Sequence, residues 1–392
     1  MAPPPSVLTL GFSRVKTNIL SLIHIAAMAL HESPPDRTQS IERARAMVLQ
    51  DRTHAVSTGL PTWVTQSWQR CLDMGLQPHQ SVGFDTITAQ HMRRVQEASR
   101  PLVQAAQPVL TELARVIADI RYFAILTNAE GIVVDVHGPV DRQDRRADAI
   151  ARVGVDLSER SVGTTSISAA LRELQPVWLH RGEHFFQDTS AYSCAGAPVF
   201  GPDGLCAGML DLTGIETQER PALRHLVQRS ARSIENSWLL STAHALVLRL
   251  SWPGNPPGGD SDGLITLDHE GHLVGANPAA RQMLSLETTS SAPLHASDVF
   301  AFPWENLFDA AAQATPQEIP LWSGLRLQIQ AIRTGAHTTV ATHSPMAAKP
   351  LKAAQTDMIR QAVQQARGNV AEAARALGIS RATVYRKLGR PH

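Results

Sequence analysis

Residues 193–214 read SCAGAPVFGPDGLCAGMLDLTG. Two apolar runs flank Gly201-Pro202-Asp203-Gly204, a tetrapeptide with turn chemistry: Pro presets one backbone angle, Asp bonds nearby amides, and Gly tolerates left-handed conformations. The stretch is therefore expected to be a β-hairpin. Upstream, YFAILTNAEGIVVDVHG (122–138) repeats the pattern around Asn128–Gly131. Between the two lie SERSVGTTSISAAL (158–171), a glycine-hinged loop leading into a helix, and the short strand PVWLH (176–180). A helical stretch from about Thr88 to Ile120 precedes them, with Pro101 and Pro108 expected to kink or break it. A second long helix is expected over 216–250, and Trp63 and Trp68 mark helical turns leading in. Hairpin, loop-helix, strand and hairpin framed by long helices predict an α+β fold, an antiparallel sheet with helices on one side.

The chain has 392 residues, 43% apolar and 18% charged, ordinary values for a soluble protein of several domains. Its three cysteines, Cys71, Cys194 and Cys206, form no C-x-x-C pair, which fits a reducing compartment and a cytoplasmic protein. SRVKTNILSLIHIAAMAL (13–30) has the basic-then-apolar order of a signal peptide. It contains Asn18 and His24 and falls short of the ~20 apolar residues that cross a bilayer, so no membrane association is expected. Residues 1–40 are read as disordered or mis-started, with Met28 an alternative start.

Charge is unevenly spread. Residues 351–392 hold eight Lys and Arg against Asp357 and Glu372, a net of +6, which leaves −5 for the remainder of a chain whose total is +1. Within this basic tail, IRQAVQQARGNVAEAARALGISRATVYRKL (359–388) gives a first helix through Ile359, Val363 and Ala366. Gly368-Asn369 ends it and caps a second, packed through Val370, Ala373, Ala374 and Leu377. Gly378 turns the chain, and Ser380 caps a third helix whose outward face holds Arg381, Thr383, Tyr385, Arg386 and Lys387. That is a helix-turn-helix with a basic reading face. Arg381 and Arg386 are the candidates for guanine edges, and Thr383, Tyr385 and Lys387 for phosphates.

The tail resembles the Fis-type helix-turn-helix, most closely over NVAEAARALGISRATVYRKL. The resemblance implies a homodimer on double-stranded DNA. Many proteins ending this way carry a central ATPase, whose phosphate loop needs Gly-Lys. The only lysines here are Lys16, Lys349, Lys352 and Lys387, none preceded by Gly, so no ATPase of that kind is expected within these residues.

The body resembles a GAF domain, and more narrowly the sensor half of regulators of acetoin and dihydroxyacetone catabolism. SWQRC (67–71), SERSVGTTSISAAL, HRGEHFF (180–186) and the opening hairpin carry the likeness. It implies a small-molecule effector held between sheet and loop-helix, with Thr164, Ser166, His184, Phe185 and Cys194 as candidate contacts. Family members usually show G-T-N-x-I-G-T where this chain has Gly163-Thr164-Thr165-Ser166-Ile167-Ser168, so a different effector is implied. Farther on, DGLITLDHEGHLVGANPAARQML (262–284) resembles the opening of a PAS domain.

The resulting organisation is a GAF-like sensor over 41–245 with helical segments leading in and out, a linker over 246–261 and an abbreviated PAS-like domain over 262–333. A tether over 334–350 then leads to the Fis-type domain over 351–392. His180-Arg181-Gly182-Glu183-His184 spells the H-x-x-E-H of inverted zinc proteases, but Gly182 disfavours the required helix, so a surface loop without metal is expected, and no cofactor. Two rival readings remain: a thiol-dependent, sulfoxide-reductase-like enzyme using Cys194 and Cys206, and a purely architectural DNA protein. The leading one is a regulator that senses a small molecule, binds DNA and touches RNA polymerase or a motor-bearing relative. Replacing Arg381 and Arg386 together by Ala should abolish operator binding in a gel-shift assay while the circular-dichroism spectrum stays unchanged.

Overall fold

The computed structural model describes residues 37–50, 58–259, 261–287, 293–313 and 315–333. The expected helix-turn-helix, including Ser380, Arg381, Thr383, Tyr385, Arg386 and Lys387, and the tether before it lie outside the described residues. The chain enters through α1 (Arg37–Arg45), a π-type turn at Ala46–Gln50, and α2 (Thr62–Asp73). Residues 37–40, assigned above to a disordered start, are thus helical, because Arg37 and Arg45 both find partners on the body (below).

Helix α3 (Ala89–Ile117) opens at Thr88, whose side chain accepts from the amide of His91, and it runs unbroken through Pro101 and Pro108. Its buried stripe, Leu102, Ala105, Ala106, Leu110, Leu113 and Ile117, stays continuous across both prolines. Packing along that whole stripe outweighs the missing backbone hydrogen bonds, since helical stability comes mostly from an amphipathic face meeting a core.

Five strands follow: β1 (Tyr122–Asn128), β2 (Val133–His137), β3 (Val177–His180), β4 (Tyr192–Phe200) and β5 (Cys206–Ile215). They form one antiparallel sheet in the order β2-β1-β5-β4-β3. Both expected hairpins and the short strand are present. Between β2 and β3 come the short helices α4 (Arg145–Ile150) and α5 (Glu159–Val162), then α6 (Ser166–Glu173), and after β5 the long α7 (Leu223–Ser241). Ala124, Leu126, Ala195, Ala197, Leu210 and Leu212 join the core beneath α3 and α7. The alternating residues Phe123, Ile125, Cys194 and Met209 join a second core with Ile167, Ala169 and Ala170 of α6. Helices therefore cover both faces, not one. The central strands are apolar at nearly every position, and a strand buried on both sides reads as a run rather than as alternation.

A second antiparallel sheet contains β6 (Leu246–Ser251), β7 (Gly263–Leu267), β8 (Leu273–Ala276), β9 (Gln317–Pro320) and β10 (Arg326–Arg333), in the order β8-β7-β6-β10-β9. Its helices are α8 (Pro278–Leu284), α9 (Ala296–Val299) and α10 (Glu305–Ala310). Asn277 caps α8 through Oδ1, which accepts from the amides of Ala280 at 2.8 Å and Leu264 at 2.9 Å.

Here the segment read as linker, and as the end of a long helix, needs correcting. Helix α7 stops at Ser241, and Leu246–Ser251 is the middle strand of the second sheet. Leu246, Leu248 and Leu250 are fully buried at period two, while Arg249 points aside to Asp262 (3.2 Å). Alternation of Leu with other residues suits a half-polar strand, and the neighbouring Pro/Gly run masked it.

The sheets belong to one compact unit ending at Thr334. The amide of Ala276 and Nη2 of Arg281 both donate to the carbonyl of Pro202, at 3.0 and 3.1 Å, so the turn of the β4–β5 hairpin is bonded to the second sheet. Leu248→Ala should cost about 2–5 kcal/mol in urea unfolding, the range for truncating a buried leucine. A substitution in a linker would cost almost nothing.

Candidate functional site

The candidate cavity forms where α6 crosses the sheet. Thr165 caps this helix in a reciprocal arrangement with Ser168, fixing its first turn over β5. Gly163, just before, has φ +65°, and a Cβ there would lie 2.9 Å from the ring of Phe186, so only glycine permits this approach.

On β5, Met209, Asp211 and Thr213 point toward α6 and alternate with Leu210 and Leu212 on the other face. The Asp211 side chain is wholly buried. Ser166 Oγ donates to its Oδ1 at 2.5 Å and Thr213 Oγ1 donates to its Oδ2. Cys194 Sγ lies 3.4 Å from Thr213 Oγ1. Burial pushes the Asp211 acid up to about 6, and the two hydroxyl donors restrain the shift. No cationic side chain is bonded to it among the described residues.

The opposite wall comes from the H-x-x-E-H segment. Arg181–Glu183 is one turn of 3-10 helix, and Glu183 and His184 are both about 1% exposed. The expected surface loop is therefore a buried one. His184 Nδ1 lies 2.9 Å from the carbonyl of Arg181, and a carbonyl only accepts, so Nδ1 carries the proton and Nε2 presents a lone pair. Nε2 is buried with no partner. Desolvation lowers this imidazole to about 4, leaving it neutral at ordinary pH. Glu183 ties its carboxylate to Arg37 (2.7 and 2.8 Å).

Together Ser166, His184, Cys194, Asp211, Thr213, Tyr192 and a ring of apolar residues that includes Phe84, Ile125 and Ile167 enclose a cavity of about 30 Å³. Of the five effector contacts expected from sequence, Ser166, His184 and Cys194 line it. Thr164 and Phe185 do not. Thr164 Oγ1 pairs with Ser67 Oγ at 2.7 Å, and Phe185 packs with Trp68, Cys71 and Phe186 beneath α2. Residue 164 faces α2 because it precedes the helix whose first turn swings Ser166 the other way. Asp211 and Thr213 were missed, although an acid inside the apolar run GMLDLTG was the available signal.

The segment carrying His184 is held from outside. Arg45 donates through Nη1 to the carbonyls of Gly182 (2.9 Å) and His184 (2.6 Å), and through Nη2 to that of Phe185 (3.0 Å). Trp68 Nε1 donates to the carbonyl of Glu183 at 2.9 Å. Three charge-assisted bonds from one guanidinium to three carbonyls make a rigid clamp.

The thiol-enzyme reading fails on this geometry. Burial, with Asp211 beside it, raises the Cys194 thiol well above its ordinary range, and burial raises Cys206 too, so neither is a ready thiolate. Cys194 pairs with Thr213 and Cys206 with Phe200, at opposite ends of the hairpin and roughly 20 Å apart at strand rise.

These features define an α+β domain with a small cavity between α6 and the sheet. Residues 38–236, just over half of the chain, match the family described as MimR, N-terminal domain, and the chain belongs to that family. Residues 350–390 match the bacterial regulatory proteins of the Fis family. Similar proteins include an acetoin catabolism regulatory protein of Cupriavidus necator, 28% identical over 63% of this chain and 37% of its own length. A propane 2-monooxygenase operon transcriptional activator of Mycolicibacterium goodii is 28% identical over 52% of this chain and 34% of its own. The matches thus span about a third of these relatives' length. Among solved structures, a chain of the E. coli DhaR(N)–DhaL complex aligns over 70% of this chain and all of its own, with 15% identity and a TM-score of 0.44.

The Asp211 acid is raised in the fold from 3.8, so the folded state holds its proton more tightly than the unfolded one. Stability is then lost as pH rises from about 4 to about 6 and stays lower above that. Asp211→Asn removes this penalty. The stability of the variant relative to the wild type should rise by about 3 kcal/mol between pH 4 and pH 7.5, by urea unfolding.

Proposed function

We propose that this chain is a ligand-responsive, DNA-binding transcriptional regulator: a GAF-like domain senses a small molecule and a Fis-type helix-turn-helix binds the operator. The observation that carries the sensing half is the cavity over Asp211, a small space whose wall includes a buried carboxylate without a counter-charge and a neutral imidazole with an unused lone pair. Stability alone gives no reason to keep two such groups facing one small space, since each costs free energy when buried without a full set of partners. A ligand repays that cost.

The chemistry of the wall indicates the ligand. A volume near 30 Å³ holds about two waters, hence a molecule of a few non-hydrogen atoms. His184 Nε2 and Asp211 are both acceptors, so the ligand supplies hydrogen-bond donors, and the carboxylate repels anions. Small alcohols and diols fit. The similar proteins are named for acetoin catabolism and for a propane 2-monooxygenase operon, both concerned with small molecules.

The stretch between the two family matches is filled, in the described residues, by the second sheet, which is PAS-like in the order strand, strand, capped helix. Among the described residues no helix is long and apolar enough to cross a membrane. The regulator acts in the cytoplasm as a homodimer, and it signals by contacting or excluding RNA polymerase. An effector shifts such an equilibrium only through unequal affinity for two arrangements, and the Arg45 clamp on the His184 segment offers a path from cavity to α1.

In a thermal-shift series on the full chain, 2-propanol and ethylene glycol should raise the melting temperature, and Asp211→Asn should abolish the rise. Acetone, which has no donor, and acetate should have no effect. Acetone acting as strongly as 2-propanol would exclude the donor requirement.

A further inference from the structure

The two sheets do not close on each other along the whole of α7, and a cleft of about 690 Å³ remains between them. Its floor is one face of that helix, with Gln228, Arg232, Glu235 and Asn236 at helical spacing. Trp252 and Asp262, from the β6–β7 connection, stand opposite. Several of these groups have bonding capacity that the fold leaves unused. Glu235 is only 5% exposed, and its Oε1 accepts the amide of Phe200 at 3.0 Å. Its other oxygen bonds nothing among the described residues. Burial pushes this acid up to about 8, so at neutral pH it is uncharged and donates. Arg232 is exposed and has neither ion pair nor hydrogen bond among the described residues. Asp262, in contrast, is satisfied by Arg249 (3.2 Å) and by the amide of Gly258 (2.6 Å). The cleft thus presents one free cation, one neutral acid and no free anion. At its rim the indole of Trp252 is 41% exposed.

We propose that this cleft is a second binding site, separate from the cavity over Asp211, for a planar organic anion: a carboxylate borne on an aromatic ring. Guanidinium and carboxylate match as a two-pronged pair, the Glu235 acid donates to the same carboxylate, and the ring stacks on Trp252. The volume is that of an ordinary small-molecule site and more than twenty times that of the inner cavity. A cationic ligand would meet Arg232 unscreened. A ligand here touches α7 on one side and the β6–β7 connection and α8 on the other, so it braces the two sheets against each other beside the Asn277–Asn236 bond (2.9 Å).

Calorimetric titration of the full chain with benzoate, and with benzyl alcohol as its uncharged counterpart, tests this. Benzoate should saturate one site per chain. Arg232→Gln should weaken it about tenfold or more, and Trp252→Ala should also weaken it. Glu235→Gln, which keeps a neutral donor, should preserve binding, and so should Asp211→Asn. Three results would each overturn the proposal: no saturable heat with millimolar benzoate, benzyl alcohol binding as well as benzoate, or undiminished affinity in Arg232→Gln. Arg232 is exposed, so its replacement leaves the fold intact, as a melting curve would verify.

Discussion

A carboxylate without a counter-ion, Asp211, held at the centre of a five-stranded sheet by the hydroxyls of Ser166 and Thr213, is the constraint around which the first domain is arranged. The bond from Ser166 fixes the start of α6 to β5. The same helix start needs Gly163 to reach it and the Thr165–Ser168 cap to hold it. Charge burial of this kind is tolerated where strong hydrogen bonds reach the charge, and here two hydroxyl donors take the place of a cation.

Around that centre the domain separates rigidity from reactivity. The α3–α7 side of the sheet is a large core of Leu, Ile, Val and Ala, with Tyr122 among them. The α6 side carries Asp211, His184, Cys194 and Thr213 around the cavity, while Glu235 is the buried acid of α7. Burial acts in opposite senses on their protons, raising Asp211 and lowering His184.

Much of this was legible from sequence. Turn chemistry at Asn128–Gly131 and at Gly201–Gly204 located both hairpins, and Asn277-Pro278 located a helix start, because such signals act within a few residues. The strand Leu246–Ser251 was hidden, since a leucine-rich end of a long helical pattern and a leucine-alternating strand look alike over six residues. Prolines 101 and 108 suggested a break that long-range packing overrode. At the cavity the structure brings Ser166, His184 and Cys194 together, while Thr164 and Phe185 lie toward α2. One partner of Asp211, Thr213, is two residues away, but the other, Ser166, lies 45 residues away, beyond the reach of a local pattern.

The clamp of Arg45 on the three carbonyls at Gly182, His184 and Phe185 sets a limit on how this domain can be cut. An excised fragment beginning at the first Trp-bearing helix would keep the whole sheet and both cores yet lose Arg37 and Arg45. That would free the buried Glu183 carboxylate from its cation and the backbone beneath the cavity from its brace. Such a fragment would leave the wall of the cavity unbraced, so a faithful excision of this domain starts no later than residue 37.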